Sequence, residues 1–269
     1  MSDITYTVRR LVSRHQGALP AILTCPHGGD DQPPGVQKKR TGKTIPEDCD
    51  FQLNTDRLTR TVTREVAQTL FDVFGESPYV VIADFDRDYI DANRRFECAF
   101  EDNEAEPFYL EYHNTIRSFA DEIRLDTGGP GLLFDIHGTE QVRSDEADVF
   151  FGTLNGESIS ALLRRDPLAM SRARSLPGLL RASGYVVSSQ TPETIKGGFT
   201  LEEYGSQNPD GLDSIQVEIE TSLRIDVAKR TPFVEDFAFA ISSLIARYAD
   251  THTMAAYRTA NFIPRLLKG

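Results

Sequence analysis

Four short stretches of this sequence carry side chains whose types and spacing suit hydrolytic chemistry. In Thr24-Cys25-Pro26-His27-Gly28-Gly29-Asp30, His27 and Asp30 lie three residues apart, and both types ligate divalent metals. His137 follows the apolar run Gly131-Leu-Leu-Phe-Asp-Ile136, with Asp135 two positions before it. Asn93, Arg94 and Arg95 form a polar cluster, and Arg87 is a rival for the same role. Gln216, Glu218 and Glu220 alternate with Ile215, Val217 and Ile219. Two histidines and a carboxylate hold a metal ion and leave it accessible to water. A separate carboxylate takes the proton of that water. An arginine grips a substrate carboxylate through paired hydrogen bonds. The period of two puts Glu218 and Glu220 on one strand face, so spacing alone leaves either as the base.

These residues are useful only if the fold brings them together. Ala21-Ile-Leu-Thr-Cys25 reads as a short buried strand that delivers His27, and the two glycines allow backbone to approach closely. Residues 31–50 are rich in Pro, Gly, Lys and Asp and read as a loop. From Asn54 the spacing of Leu58, Val62, Val66 and Leu70 predicts a helix that ends at Gly75. Tyr79 to Asp84 reads as a strand. Tyr112, Ile116, Phe119 and Ile123 mark one face of a helix closed by Gly128-Gly129. Asp148–Phe151 and Tyr185–Ser188 read as short strands, with a helix over Leu176–Ala182 between them. Residues 190–212 read as a loop, and Ser214–Glu220 as a two-faced strand. Pro232 opens a last helix bearing Phe233, Phe237, Ile241, Leu244 and Ile245. Strands alternating with helices imply an α/β layered fold with a mixed sheet, in one domain over residues 1–269. In such sheets ligands bind beyond the carboxyl ends of the strands, where His27, His137 and Asn93 fall.

Composition narrows the classes. The 269 residues are 39% hydrophobic and 26% charged, as in an ordinary globular protein. No apolar run approaches the roughly 18 residues of a membrane span. A net charge of −12 argues against a nucleic-acid partner. A small anionic substrate remains compatible with it, through a local arginine pocket. No leader is legible at the start of the chain. The odd count of three cysteines, Cys25, Cys49 and Cys98, fits a reduced cytoplasm. Asp84, Asp86, Asp88 and Asp91 lack the spacing of a calcium loop and read as turn residues. His15, His113 and His252 read as structural. The sequence has no Gly-x-Ser-x-Gly elbow, dinucleotide fingerprint or His-Glu-x-x-His pair.

The order Pro26-His-Gly-Gly29, Asp91-Ala-Asn-Arg94, Asp135-Ile-His-Gly138 resembles the N-formylglutamate amidohydrolase family. Asp148–Ser158, Gly197–Gly205 and Gln216-Val-Glu218 extend the resemblance over residues 20 to 250. It implies the α/β/α sandwich of the zinc carboxypeptidases and a zinc-dependent amidohydrolase. The substrate it implies is a small N-acyl amino acid, N-formyl included, or a short peptide. It makes His27, Asp30 and His137 ligands of Zn2+, and Asn93 and Arg94, with Arg95 beside them, the substrate-carboxylate grip. Glu218 becomes the glutamate that activates the attacking water. One departure stands out: where the family carries an Arg-His pair before Tyr-Gly, this chain has Glu202-Glu203. Two acids beside a pocket would disfavour an acidic substrate side chain. They also motivate an alternative reading, a non-catalytic ligand- or partner-binding protein of the same fold.

Overall fold

The computed structural model describes residues 3–127, 131–139, 147–188 and 197–248. Seven strands form one sheet: β1 (Thr7–Arg9), β2 (Val12–His15), β3 (Ala21–Cys25), β4 (Tyr79–Ala83), β5 (Leu132–Thr139), β6 (Val149–Gly152) and β7 (Asp213–Glu220). Their order is β1-β2-β4-β3-β5-β7-β6. The four central strands β4, β3, β5 and β7 are parallel, and β2 and β6 join them antiparallel at the two sides. The sheet is therefore mixed, as expected.

The helices are α1 (Thr59–Phe74), α2 (Phe96–Ala99), α3 (Glu106–Thr127), α4 (Ser160–Arg165), α5 (Leu176–Ala182), α6 (Phe199–Tyr204), α7 (Thr221–Ile225) and α8 (Val227–Tyr248). Strand alternation divides them into two layers. Leu23, Ile82, Phe134, Ile136, Val217 and Ile219 pack with Val62, Val66 and Leu70 of α1, Leu180 of α5, and Phe233, Phe237 and Ile241 of α8. The other face carries Ile22, Val81 and Leu133, which pack on Tyr112, Ile116, Phe119 and Ile123 of α3. Helix, sheet and helix thus form three layers, each helix burying one apolar stripe. No helix among the described residues is long and apolar enough to cross a membrane.

Some elements differ from the sequence expectation. Helix α1 begins at Thr59, not Asn54, because Leu58 adopts a left-handed conformation with φ 64° and turns the chain first. Gly75 then ends the helix at φ 72°, the conformation that suits glycine. Residues 199–204, expected as loop, form α6. Helix α8 begins five residues before Pro232, which lies inside it. Among the described residues, strand pairing around Tyr185–Ser188 is a single bridge, Val149 to Val187. Gly128 and Gly129, expected to close α3, lie outside the described residues.

The cysteines also correct an expectation. Cys49 and Cys98 are disulfide-bonded, with Cα atoms 5.7 Å apart, and Cys25 is the free thiol. An odd count does not exclude a pair, so the inference of a reduced compartment loses its basis. Burial pushes the Cys25 thiol up to about 11, which leaves it an inert core residue.

Candidate active site

Register explains why distant polar residues meet. On β5 the apolar residues Phe134 and Ile136 face α1 and α8, so Asp135 and His137 face the α3 side. The parallel neighbour β7 places Gln216 opposite Asp135 and Glu218 opposite His137, on the same face. On the other side Thr24 of β3 pairs with Asp135, and two residues past the end of β3 comes His27. Three carboxyl ends thus bring their polar residues to one place.

Glycine makes the approach possible at His27. A Cβ on Gly29 would lie 2.2 Å from the Asp84 carbonyl carbon, and one on Gly28 would lie 2.6 Å from the Arg60 nitrogen. The glycines therefore admit neighbouring backbone, which any larger residue would push away.

The third member of the cluster is Asp56. Its backbone N–H donates to the His27 carbonyl at 3.0 Å, and its own carbonyl accepts from the Thr59 N–H and hydroxyl. This turn before α1 aims the carboxylate between the two imidazoles. Asp56 Oδ2 lies 3.2 Å from His137 Nδ1 and 3.5 Å from His27 Nδ1, and accepts from the Gly138 N–H at 3.0 Å. One ligand atom from each of His27, Asp56 and His137 lies within 4.8 Å of the others, and all three residues are buried.

Each imidazole is held from behind by a second carboxylate. His27 Nε2 is 2.7 Å from Asp91 Oδ1, and His137 Nε2 is 2.8 Å from Asp135 Oδ2. Asp91 and Asp135 are fully buried. Two carboxylates that take the Nε2 protons leave both Nδ1 atoms facing Asp56, the arrangement typical of metal-ligating histidines. Buried His27 Nδ1 has no hydrogen-bond partner among the described residues. A buried, unsatisfied nitrogen facing a second imidazole and a carboxylate fits a divalent metal ion.

The electrostatics agree with this anionic frame. Burial alone would raise the Asp56 carboxyl, but the hydrogen bond with His137 and the nearby His27 imidazole outweigh it and hold it well below the usual range. Burial likewise opposes ionisation of Asp91, and Arg87 and His27 hold it down. Desolvation disfavours charge on His137, yet Asp135 and Asp56 raise it well above an ordinary histidine. Burial raises Glu218, although His137 and a hydrogen bond from Gln216 work against the rise.

A cavity of about 560 Å³ opens onto these groups. Its wall includes His27, Asp56, His137, Asn93, Arg94, Arg87 and Glu218. Glu218 faces it with Oε1 2.9 Å from the Gln216 side-chain nitrogen. Glu220 turns away: its carboxylate accepts from the Ser222 N–H and caps α7. Spacing left the two glutamates equivalent, and the helix that begins at Thr221 separates them by claiming Glu220 as its cap.

Three expectations need revision. Asp30 is not in the cluster; its carboxylate is 75% exposed and pairs with Arg60 at 3.0 Å. The Gly29 contact with Asp84 carries the chain past the site before Asp30 is reached, and Asp56 stands where that ligand was expected. Arg95 does not line the cavity, because its guanidinium pairs with Asp48 outside it at 2.5 Å. Glu202 and Glu203 line no part of the cavity either: Glu203 pairs with Arg117 of α3 at 2.8 Å, and Glu202 is exposed. Two acids at this position therefore do not act on a substrate side chain through the cavity wall.

Asn93 and Arg94 both line the cavity. Asn93 is buried, and its Oδ1 accepts from the Thr200 N–H and hydroxyl at 2.8 and 3.0 Å. Its side-chain nitrogen lies 3.2 Å from His137 Nε2. Sequence reasoning missed Asp56 and Asp91. Asp56 sits 29 positions after His27, beyond any local spacing rule. Asp91 was in plain view but read as a turn residue; its place three residues before Arg94 was the available signal.

Comparison with solved structures places the fold. An N-formylglutamate amidohydrolase from Ralstonia eutropha superposes with a TM-score of 0.62 at 15% identity, over 88% of this chain and 96% of that one. A gene product from Agrobacterium tumefaciens gives a TM-score of 0.60, also at 15% identity and the same coverage. The chain shares their fold. The sequence matches no protein-family model and no curated protein.

Proposed function

We propose that this chain is a single-domain, metal-dependent amidohydrolase, a divergent member of the N-formylglutamate amidohydrolase family. In this reading it cleaves the amide bond of a small N-acyl amino acid or short peptide. The observation that carries the reading is the convergence of His27, Asp56 and His137, each histidine backed by a carboxylate, with Glu218 facing the same cavity. His27 Nδ1, Asp56 and His137 Nδ1 would hold the ion, and zinc suits an imidazole and carboxylate donor set. When bound, such an ion supplies Lewis acidity, polarising a carbonyl and lowering the pKa of water.

The chain's own residues do the rest. Arg94 binds and orients the substrate carboxylate, and Asn93, held by Thr200, sets its side-chain nitrogen beside His137. Glu218 takes one proton from the water that attacks the acyl carbon. As the C–N bond breaks, Glu218 returns that proton to the leaving nitrogen, giving a carboxylic acid and an amine, and the acid's remaining proton passes to the amine to leave a carboxylate and an ammonium group. A raised Glu218 suits both halves of this transfer, because its basicity moves towards neutral pH. Asp91 and Asp135 hold the imidazoles in the tautomer the cluster requires. The cavity has the size of a small-molecule site.

The test is metal analysis followed by a panel of N-acyl amino acids with and without a chelator, using wild type and Glu218→Gln. The expected result is chelator-sensitive hydrolysis that falls by about two to four orders of magnitude in the variant, with metal content retained. Near-normal turnover of Glu218→Gln would remove that residue from its role. A metal-loaded wild type that hydrolyses nothing in the panel would overturn the reading.

A further inference from the structure

Arg94 is not free to receive a substrate. Its Nε donates to the Asp50 carbonyl at 2.7 Å, its Nη2 to Asp50 Oδ2 at 2.7 Å, and its Nη1 to the Asn93 carbonyl at 2.9 Å. The Nε–Nη2 edge, one that matches the fork of a carboxylate, is therefore taken by a single residue of the protein. Asp50 also lines the cavity, and its side chain is 74% exposed against 16% for Arg94.

The segment that carries Asp50 is fixed on both sides of the contact. Cys49 is cross-linked to Cys98, Asp48 pairs with Arg95, and the Gln52 carbonyl accepts from buried Arg40 at 2.9 Å. The backbone is thus held over residues 93–98 while the Asp50 carboxylate extends into solvent-accessible space. That carboxylate can leave Nη2 by side-chain rotation and be rehydrated with no change in the fold, while the Asp50 carbonyl stays on Nε.

We infer that Asp50 is a resident carboxylate that occupies the substrate-carboxylate position on Arg94, so that a substrate must displace it to bind. The inference rests on the reading of Arg94 as the carboxylate grip and adds a determinant of selectivity to it. A ligand carboxylate replaces the Asp50 ion pair at Nη2 with its own. A neutral amide carries no charge with which to displace Asp50, so removing Asp50 favours the carboxylate and leaves the amide nearly unchanged.

The experiment uses the metal-loaded full chain and a non-hydrolysable N-alkyl amino acid, whose binding is followed by calorimetry and needs no turnover. Its α-carboxamide counterpart is the control ligand. In Asp50→Asn and Asp50→Ala the dissociation constant of the carboxylate falls by about threefold to tenfold, the range set by loss of a partly exposed competing ion pair. The carboxamide moves less than twofold, and Arg94→Ala abolishes carboxylate binding. A count of one free thiol under denaturing conditions checks that the disulfide is intact in each variant. Unchanged or weaker carboxylate binding in both Asp50 variants overturns the inference, as does an equal gain for both ligands. Failure of amidohydrolase activity would instead strike the reaction assignment, and the binding result would stand apart from it.

Discussion

Replacing Asp56 and Asp30 separately by alanine decides between two versions of the proposed metal site. Asp30 is 75% exposed, and its partner Arg60 is itself 30% exposed. Such a pair contributes about 0–1 kcal/mol and touches neither histidine. Asp30→Ala is therefore expected to leave metal affinity within about twofold of wild type, with stability lowered by no more than that amount. Asp56→Ala removes the group that lies 3.2 and 3.5 Å from the two Nδ1 atoms. Four-ligand zinc sites are worth about 10–16 kcal/mol, or roughly 2.5–4 kcal/mol per ligand if shared evenly. At 1.36 kcal/mol per tenfold, the loss of one ligand weakens binding by about two to three orders of magnitude. The assay is competition for zinc between each variant and a chromogenic chelator at one fixed pH. Circular dichroism confirms that each variant is folded. A folded Asp56→Ala protein within about threefold of wild type would refute the assignment. So would an Asp30→Ala protein that loses as much metal affinity as Asp56→Ala.

Two further outcomes rest on the same geometry. In the proposed role Glu218 must be ionised to accept a proton, and burial raises it, so activity is expected to fall as pH drops through a limb that lies above the usual glutamate value of about 4.3. Gln216→Ala removes a hydrogen bond that lowers Glu218, so the limb of its kcat/KM–pH profile moves to higher pH; an unmoved limb would dissociate Gln216 from the base. The Cys49–Cys98 bond closes a loop of 49 residues, and reducing it is expected to cost about 2–4 kcal/mol. Denaturant unfolding with and without a dithiol measures this, and superimposable curves would show that the cross-link adds nothing to stability.

Local pattern was enough to read the elements with strong periodicity and the residues at their ends. Ala21–Cys25, Leu176–Ala182 and the Tyr112, Ile116, Phe119, Ile123 stripe were legible because burial on one face imposes such a pattern. His27, His137 and Glu218 were legible because a polar residue at the end of a buried strand stands out against its neighbours. Everything that depends on which strands are adjacent came from the tertiary arrangement. Only the β3-β5-β7 order puts His27, His137 and Glu218 beside one another, and only the turn at Leu58 brings Asp56 to them across 29 positions of chain. Asp30 satisfied a local spacing and failed because the backbone beyond Gly29 runs along Asp84, away from the cluster. The disulfide was hidden for a similar reason: pairing depends on Cα separation in space, and an odd cysteine count carries no information about it. A ligand set is a property of directions in space, and one-dimensional spacing supplies those only within a single element.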